Sequence, residues 1–385
     1  MATPPFDFLM MNLLNAGKKL HVGAPNIGSR EVLFSRINDI LDRRWLSNNG
    51  VYLLEFERKI SNILGVRNVV AMCNATVALE IAARALELHG EVIIPSYTFI
   101  ATAHSLYWQG ITPVFADIDP KTHNINVEEV ERLITPKTTG IVGVHIWGRG
   151  CDTEGLGILA KKYNLKEMYD ASHGFACSKN GQMLGSSGQC EVFSFHATKF
   201  INSFEGGAVV TNDDELAEKM RLMRNFGFKG FDNVVHCGVN GKMSEVCAAM
   251  GLTNLEQIEE IITINRRNYL AYQKGLSGIK GISLIEYDPK EQNNFQYIII
   301  EVDSEKYGLD RNKLVERLHE QNIIARKYFW PGCHLMEPYR SLHINSPYNL
   351  PETDRVAARV VVLPTGQTVD EETVDYICQI IKNCP

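Results

Sequence analysis

Short apolar runs alternate with stretches of helical periodicity through the first half of the chain. Runs of branched and aromatic residues, bounded by turn formers, predict strands. The predicted strands are Val66–Cys73, Glu91–Pro95, Thr112–Asp117, Gly140–Trp147, Leu165–Asp170, Cys190–Phe195 and Gly207–Thr211. The predicted helices among them are Val77–Leu88, Asn126–Ile134 and Thr153–Tyr163. Strands that alternate with helices in this way predict a mostly parallel sheet covered by helices on both faces.

The pattern changes in the second half of the chain. Asn212 is expected to cap a helix that runs to about Arg224, because acidic residues follow it in the first turn. Residues 225–242 are rich in Gly, Asn and aromatic residues and predict a long, functional loop. The later predicted elements are a helix Cys247–Gly275, a strand Phe295–Val302, a helix Asn312–Gln321, a strand Ile323–Tyr328 and a helix Asp370–Lys382.

These patterns predict two domains. Residues 20–250 are expected to form a large α/β domain built on the mostly parallel sheet. Residues 251–385 are expected to form a smaller α+β domain, joined to the first by the long helix. A chain of 385 residues is long enough for two such domains, each with its own core.

Composition excludes several classes of protein. The net charge of −6 provides no basic surface for nucleic acid or for an anionic membrane, and no apolar run reaches the roughly 18 residues of a membrane span. The N-terminal Met1–Phe8 segment has neither the basic start nor the apolar core of a secretion signal. Nine cysteines occur without a C-x-x-C pair, which argues against a zinc cluster or a disulfide framework. A soluble, reduced, cytoplasmic protein is expected.

Lys199 is the residue with the clearest chemical signal. It lies in an apolar stretch, residues 192–210, where Glu205 is the other formal charge. Burial would remove water from the ammonium and lower the pKa of the lysine, and a partly neutral amine is a nucleophile toward carbonyl groups. The alternative is a lysine at a loop tip with its ammonium in water, but the apolar surroundings favour the buried lysine.

Two further strand ends carry candidate site residues. Asp170 ends an apolar strand 29 residues before Lys199, and ligands in open parallel sheets bind at the carboxyl ends of the strands. The alternative role for Asp170 is a helix cap or a turn. His173 could join Asp170 in a metal site, but no second ligand pair of matching spacing is present, and no metal is expected.

The segment from Val69 to Leu79 runs from a strand directly into a helix. A helix start has free backbone N–H groups and a partial positive charge, so a phosphate could bind at Ala75 and Thr76. Phe99 follows the next strand and either packs in the core or stacks on a planar ligand.

Together these motifs resemble the DegT/DnrJ/EryC1/StrS family of nucleotide-sugar aminotransferases, which depend on pyridoxal 5′-phosphate. The resemblance covers the chain from Asn26 to the last helix and implies the aspartate aminotransferase-like (type I) fold. The motifs, in family order, are residues 74–76, 95–99, 170–173, 194–199, 205–207 and 238–243. Many relatives have Gly where this chain has Ala75, and Ala where it has Ser172.

The resemblance implies a role for each matching residue. Lys199 would form the Schiff base with the cofactor aldehyde, and Asp170 would pair with the pyridine nitrogen. His173 would contact the ring hydroxyl, and Phe99 would stack on the ring. The phosphate would be bound by Ala75, Thr76 and Ser194. Asn240 would reach the phosphate in a neighbouring subunit, which implies a homodimer with active sites at the interface.

The same resemblance suggests the substrates. L-Glutamate is the expected amino donor, and a dTDP-linked 4-dehydro-6-deoxyglucose is the expected acceptor, giving dTDP-4-amino-4,6-dideoxy-D-glucose for lipopolysaccharide O-antigen biosynthesis. The residues proposed for the nucleotide-sugar, because a diphosphate attracts cations and hydroxyls, are Lys229, Arg326, Tyr328 and His334. Each of these could equally be a solvated charge or a packing side chain.

Three alternatives stay open. The first is amination at C3 rather than C4 of the sugar. The second is a cofactor-dependent sugar dehydratase, in whose relatives a histidine replaces the Schiff-base lysine, so Lys199 counts against it. The third is a non-catalytic sensor with the same fold, in which the loss of Lys199 or Asp170 would be expected, although both are present.

Overall fold

The computed structural model describes residues 19–343 and 348–384. The Met1–Phe8 segment, in which no secretion signal is expected, lies outside these residues. Within the described ranges no helix combines the length and the apolar character that crossing a membrane requires.

The large part of the molecule is built on a seven-stranded sheet. Its strands are β2 (Asn68–Met72), β3 (Glu91–Pro95), β4 (Thr112–Ala116), β5 (Thr138–Val144), β6 (Lys166–Asp170), β9 (Cys190–Ser194) and β10 (Gly207–Thr211). Their spatial order is β2-β10-β9-β6-β5-β3-β4. Strand β10 is antiparallel to both of its neighbours, whereas the other pairs are parallel. The predicted mostly parallel sheet is therefore confirmed.

Helices cover both faces of this sheet. The helices of this part are α1 (Arg30–Arg43), α2 (Val51–Leu64), α3 (Ala75–Ala85), α4 (Ile100–Tyr107), α5 (Val127–Leu133), α6 (Thr153–Tyr163), α7 (Asp214–Met223) and α8 (Glu245–Leu255). On β2, Val70 packs in a cluster with α3 and α7, whereas Val69 packs in a second cluster with α2 and α8. Consecutive side chains of a strand point to opposite faces, so these clusters are the two cores of a three-layer structure.

The smaller part contains a three-stranded antiparallel sheet. Its strands, in the order β11-β12-β14, are β11 (Ile282–Leu284), β12 (Ile298–Val302) and β14 (Val360–Leu363). The helices that follow α8 are α9 (Ile258–Leu276), α10 (Ser304–Tyr307), α11 (Arg311–Glu320), α12 (Tyr339–Leu342), α13 (Pro351–Arg359) and α14 (Glu371–Asn383). A separate cluster that includes Tyr272, Ile300 and Ile377 forms the core of this part.

Short elements complete the structure. Two small sheets each consist of two strands of two residues. Strand β1 (Leu20–His21) pairs with β13 (Ile323–Ile324), and β7 (Ser178–Lys179) pairs with β8 (Gln182–Met183). Two 3-10 helices lie at Ile146–Gly148 and Cys333–Leu335.

Several predicted boundaries differ from the structure. The cap of α7 is Asp213 rather than Asn212, since the Asp213 carboxylate accepts the N–H groups of Glu215 and Leu216. The predicted helix over 247–275 is two helices, because the main chain leaves helical geometry at Gln257, where φ is −113°. Helix α4 and strand β14 were not predicted, since α4 has little polar periodicity and β14 is a short apolar run.

The observed packing differs from the proposed domain limits at residues 250 and 20. Residue 250 falls inside α8, and Ala248 and Leu252 on either side of it belong to the same cluster. Helix α8 therefore belongs as a whole to the large part of the molecule, where its other buried residues Ala249 and Met250 pack with α1. Leu20, placed at the start of the large domain, instead pairs with Ile323 and packs against the core of the smaller part.

Contacts between the two parts bring a segment of the smaller one to the edge of the large sheet. The main chain of Arg326 pairs with Val362 of β14. The Tyr97 hydroxyl, which follows β3, donates a hydrogen bond of 2.6 Å to the carbonyl of Tyr328. Segment 326–329 is therefore fixed from both sides, next to the carboxyl ends of the parallel strands.

Candidate active site

A cavity of about 540 Å³ lies where the carboxyl ends of the parallel strands meet segment 326–329. Its lining includes nine residues of the predicted site, namely Ala75, Thr76, Phe99, Asp170, His173, Ser194, Lys199, Arg326 and Tyr328. Residues far apart in the chain are thus brought to one place. The carboxyl edge of a parallel sheet is where ligands bind in such folds.

Lys199 follows β9 and directs its amine into this cavity. Its Nζ lies 3.3 Å from the hydroxyl of Tyr297 and 5.9 Å from the centre of that ring. The side chain is half-buried, but the surrounding protein removes much of the water that would solvate an ammonium. This desolvation lowers the pKa of Lys199 from 10.5 to about 8, although the charge of Asp170 and, less, Tyr328 oppose it.

Asp170 is the last residue of β6 and is buried at the cavity. The Thr102 hydroxyl donates to its Oδ2 at 2.7 Å, and the N–H of Ser172 donates to its Oδ1 at 3.0 Å. Both carboxylate oxygens are therefore oriented, and their negative charge faces the same cavity as the Lys199 amine. A carboxylate held in this way suits a cationic group on a ligand.

His173 is buried in the loop that follows Asp170 and lines the same cavity. Its Nδ1 accepts a hydrogen bond of 3.2 Å from the N–H of Trp147. Burial, with a smaller effect from the charge of Lys199, lowers the pKa of His173 well below its ordinary value. The imidazole is consequently neutral near physiological pH.

The start of α3 forms the part of the cavity that suits an anion. The Asn74 side chain caps the helix by accepting the N–H of Val77. The N–H groups of Ala75 and Thr76 lie in the first turn, where a helix supplies no acceptor. A side chain on Gly207 would come within 2.5 Å of the Ala75 nitrogen, so glycine allows β10 to lie close behind the helix start. Ser194 adds a hydroxyl to the same lining.

Phe99 is the residue before α4, and its ring is exposed to the cavity. Its exposed fraction, 57%, is high for an aromatic side chain that lines a concave site. The centre of the ring lies 6.3 Å from that of Phe329, in an edge contact. Of the two roles considered for Phe99, this exposure favours stacking on a planar ligand over packing in the core.

Three of the predicted site residues do not line the cavity of their own chain. Lys229 and Asn240 are exposed and lie in the long loop after α7. His334 is buried, with its Nδ1 2.7 Å from the Ser96 hydroxyl and its Nε2 3.3 Å from Asp354. These contacts hold the chain after Pro331 against the end of β3, so they indicate a structural role for His334.

Several residues of the site were not identified from the sequence. Tyr297 contacts Lys199 but precedes β12 of the smaller part, 98 residues away. Thr102, which orients Asp170, lies in the first turns of the unpredicted α4. His196 and Glu205 also line the cavity, with the imidazole 3.4 Å from the carboxylate. Of Tyr297, Thr102, His196 and Glu205, only Glu205 could have been found from the sequence, because it is a charged residue in an apolar stretch.

The described residues show no group of three or more His, Cys, Asp or Glu side chains placed to hold a metal ion. The polar groups of the cavity include the amine of Lys199, the oriented carboxylate of Asp170, the start of α3 and several hydroxyls. This set matches a ligand with a carbonyl, a basic nitrogen and an anionic group.

The chain is similar to known aminotransferases along almost its whole length. The model of the DegT/DnrJ/EryC1/StrS aminotransferase family matches residues 29–382. A dTDP-4-amino-4,6-dideoxy-D-glucose transaminase of Shigella dysenteriae is 38% identical over 365 residues, which are 95% of this chain and 99% of that protein. A GDP-perosamine synthase of Caulobacter vibrioides is 31% identical over 365 residues, 93% of this chain and 96% of that protein.

A solved structure gives the same result for the fold. The crystal structure of DesI in the presence of its TDP-sugar product has a TM-score of 0.91 to this chain at 45% sequence identity. The match covers 95% of this chain and 93% of DesI. The match therefore extends over the seven-stranded and the three-stranded sheet rather than a single motif.

The lowered pKa of Lys199 leads to a titration test. In the ligand-free protein, the rate at which trinitrobenzenesulfonate modifies Lys199 is expected to rise with an apparent pKa of about 8, well below the ordinary 10.5. The rate for a Lys199→Met protein is subtracted to remove the other lysines. Asp170→Asn is expected to move the apparent pKa lower still, because the carboxylate that favours the ammonium is gone. A Lys199 amine that titrates near 10.5, or one unmoved by Asp170→Asn, would contradict this electrostatic description.

Proposed function

The chain belongs to the DegT/DnrJ/EryC1/StrS aminotransferase family, and we propose that it uses pyridoxal 5′-phosphate to transfer the amino group of L-glutamate to a nucleotide-linked keto-deoxysugar. The observation that carries the proposal is that the amine of Lys199 and the carboxylate of Asp170 face one cavity beside the start of α3. An aminotransferase without this lysine would lose the group that bonds to the aldehyde.

The residues of the cavity fit this cofactor. The amine of Lys199, with its lowered pKa, suits the aldehyde, and the oriented carboxylate of Asp170 suits a protonated pyridine nitrogen. The N–H groups at the start of α3, with the Thr76 and Ser194 hydroxyls, suit the phosphate. The exposed ring of Phe99 suits the planar ring system, and His173 suits its hydroxyl.

The cofactor, when bound, supplies an electron sink that stabilises negative charge on the reacting carbon. Asp170, whose two carboxylate oxygens are oriented, would keep the pyridine nitrogen of the cofactor protonated. Lys199 is the proton carrier, since a pKa of about 8 leaves a useful fraction of its Nζ free to accept a proton at neutral pH. In the first half-reaction Nζ takes the proton of the glutamate α-carbon, and in the second it delivers a proton to the sugar carbon.

Arg326 and Tyr328 are the candidates to bind the nucleotide-sugar in the cavity of their own chain. Both line the cavity, and the Arg326 guanidinium lies 5.1 Å from the centre of the Tyr328 ring. A guanidinium can bind a diphosphate or a carboxylate through two parallel hydrogen bonds. Lys229, exposed in the long loop, is proposed to act from a neighbouring subunit, whereas the buried bonds of His334 support no direct contact.

The acceptor proposed is dTDP-4-dehydro-6-deoxy-D-glucose, which would give dTDP-4-amino-4,6-dideoxy-D-glucose. The transaminase of Shigella dysenteriae and DesI, whose crystal structure was analysed in the presence of its TDP-sugar product, support this choice. The GDP-perosamine synthase, at 31% identity, makes a GDP-linked sugar the second candidate.

A homodimer is proposed because part of the site lies away from the cavity of its own chain. The loop after α7 exposes several large apolar side chains, namely Phe226, Phe231, Val234, Val235 and Val239. Several exposed large apolar side chains in one loop favour a contact site between proteins. Asn240 at the end of this loop is exposed and is proposed to reach the phosphate in the neighbouring subunit.

Substrate assays test the proposed reaction. The protein is expected to use L-glutamate and dTDP-4-dehydro-6-deoxy-D-glucose with a kcat/KM at least about tenfold above that for the 3-keto isomer or the UDP- and GDP-linked analogues. Lys199→Ala is expected to lower kcat on the order of a thousandfold or more, because no other group moves the proton. Lys161→Ala, an exposed lysine on α6, is the matched control and should leave the rate unchanged.

The outcomes separate the alternatives. A preference for the GDP-linked sugar would replace the proposed acceptor by the second candidate. Full turnover by the Lys199→Ala protein, or loss of the sugar hydroxyl without amination, would contradict the aminotransferase mechanism.

A mixing experiment tests the shared site. Lys199→Ala and Asn240→Ala chains are each expected to have low activity alone. When the two are co-expressed, each mixed dimer keeps one intact site, so activity should recover to about a quarter of the wild-type value. Co-expression of Lys199→Ala with Asp170→Ala is the control, because both side chains line the cavity of the same chain and no site is restored. Recovery in neither mixture, or full activity of Asn240→Ala alone, would contradict the proposed role of Asn240.

A further inference from the structure

Trp147 lies directly behind the cavity in a main-chain conformation that bulky residues rarely adopt. It is fully buried in the 3-10 helix after β5, with φ 61° and ψ 14°. Non-glycine residues with positive φ are uncommon, and such geometry persists where the surrounding structure fixes it. Gly148 follows, and a side chain there would come within 3.0 Å of the His173 carbonyl. The turn is therefore pressed against His173.

Four contacts tie Trp147 to its surroundings. Its backbone N–H donates to Nδ1 of His173 at 3.2 Å. Its indole ring is nearly parallel to the imidazole, at 17° with the ring centres 5.7 Å apart, and to the ring of Phe329, at 8° and 5.3 Å. The indole N–H donates to Nδ1 of His123 at 3.2 Å, which fixes the far edge of the ring.

His123 connects this arrangement to the smaller part of the molecule. Its Nε2 lies 2.9 Å from a carboxylate oxygen of Glu301 in β12. Since Nδ1 of His123 accepts the indole proton, its own proton lies on Nε2 and is donated to Glu301. Trp147 is thus anchored on one side by His123, which Glu301 in turn holds, and on the other by the imidazole of His173.

The hydrogen bond to His173 decides where that imidazole carries its proton. A neutral histidine has one donor nitrogen and one acceptor nitrogen, and the acceptor here is Nδ1. The proton consequently lies on Nε2. A second proton on Nδ1 would point at the Trp147 N–H, so the contact also opposes the charged form. Burial acts in the same direction by lowering the pKa of His173.

We propose that Trp147 is a positioning residue whose stacked indole holds the turn so that His173 presents a single neutral form, with its proton on Nε2, to the ring hydroxyl of the cofactor. The inference rests on the proposed function, since the hydroxyl belongs to pyridoxal 5′-phosphate. A donor fixed in one tautomer would stabilise the deprotonated hydroxyl oxygen and keep the cofactor ring in one orientation. The competing explanation is that Trp147 only fills space in the core.

Nuclear magnetic resonance of the full-length protein labelled with [15N]histidine separates the two explanations. The His173 signals are assigned by their loss in a His173→Gln protein. In the wild type, without added cofactor, His173 is expected to show only the tautomer with its proton on Nε2. Trp147→Phe should retain that signal, since an aromatic ring and the main-chain donor remain.

Trp147→Gly is the decisive variant because glycine adopts positive φ without strain and keeps the main-chain N–H that bonds to His173, while it removes the stacked indole and its hydrogen bond to His123. It is expected to show both tautomers and a Kd for pyridoxal 5′-phosphate raised on the order of tenfold. Trp147→Leu, which fills much of the volume without a flat ring, should change the tautomers in the same direction. If the glycine variant does not fold, the tautomers of His173 in the Trp147→Leu protein decide between the two explanations. Trp108→Gly, at an exposed tryptophan after α4, is the matched control and should change neither measurement.

A single unchanged tautomer in both Trp147→Gly and Trp147→Leu would overturn the inference and leave Trp147 as a core residue. The tautomer is measured in ligand-free protein, so this outcome does not depend on transamination. Failure of the proposed function would instead appear as an absence of amino transfer in the wild type.

Discussion

The structure depends on keeping one amine poorly solvated within reach of opposite charge. Burial of Lys199 favours its neutral form, whereas Asp170 favours the ammonium, and burial is the stronger effect. The balance places the pKa near 8, where the amine exchanges protons readily at neutral pH. A solvated lysine would stay charged, and the pKa of a lysine without a nearby carboxylate would be lower still. The intermediate pKa suits the two roles proposed for Lys199, nucleophile and proton carrier.

The fold supplies this balance through the connection of its two parts. Strands β6 and β9 place Asp170 and Lys199 at the same edge of the large sheet. The aromatic residue in contact with the amine, Tyr297, comes from the smaller part, and the Tyr97 hydroxyl fixes segment 326–329 against β3. The same aromatic cluster includes Trp147, so the environment of the amine and the orientation of His173 share one set of packing contacts.

The sequence contains the residues that bear the chemistry more clearly than those that surround them. Lys199 and Asp170 were predictable, since each stands out as a charge against an apolar strand or stretch, and the helix start at Ala75 follows a strand directly. Tyr297, Thr102 and Trp147 were not, because their roles arise from contacts between distant segments rather than from local pattern. Trp147 was placed within a predicted strand, whereas it lies beyond the end of β5 in a turn of positive φ.

Lys199 is proposed to move a proton while nitrogen passes from glutamate to the sugar. The most direct measurement incubates the wild-type protein with L-[15N]glutamate and dTDP-4-dehydro-6-deoxy-D-glucose and locates the label by nuclear magnetic resonance. With the wild-type protein, 15N is expected to be bonded to C4 of the sugar in an amount equal to the 2-oxoglutarate formed, and with the Lys199→Ala protein no labelled sugar is expected. Label that stays in glutamate, or that appears as free ammonia beside a deoxygenated sugar, would contradict this proposal.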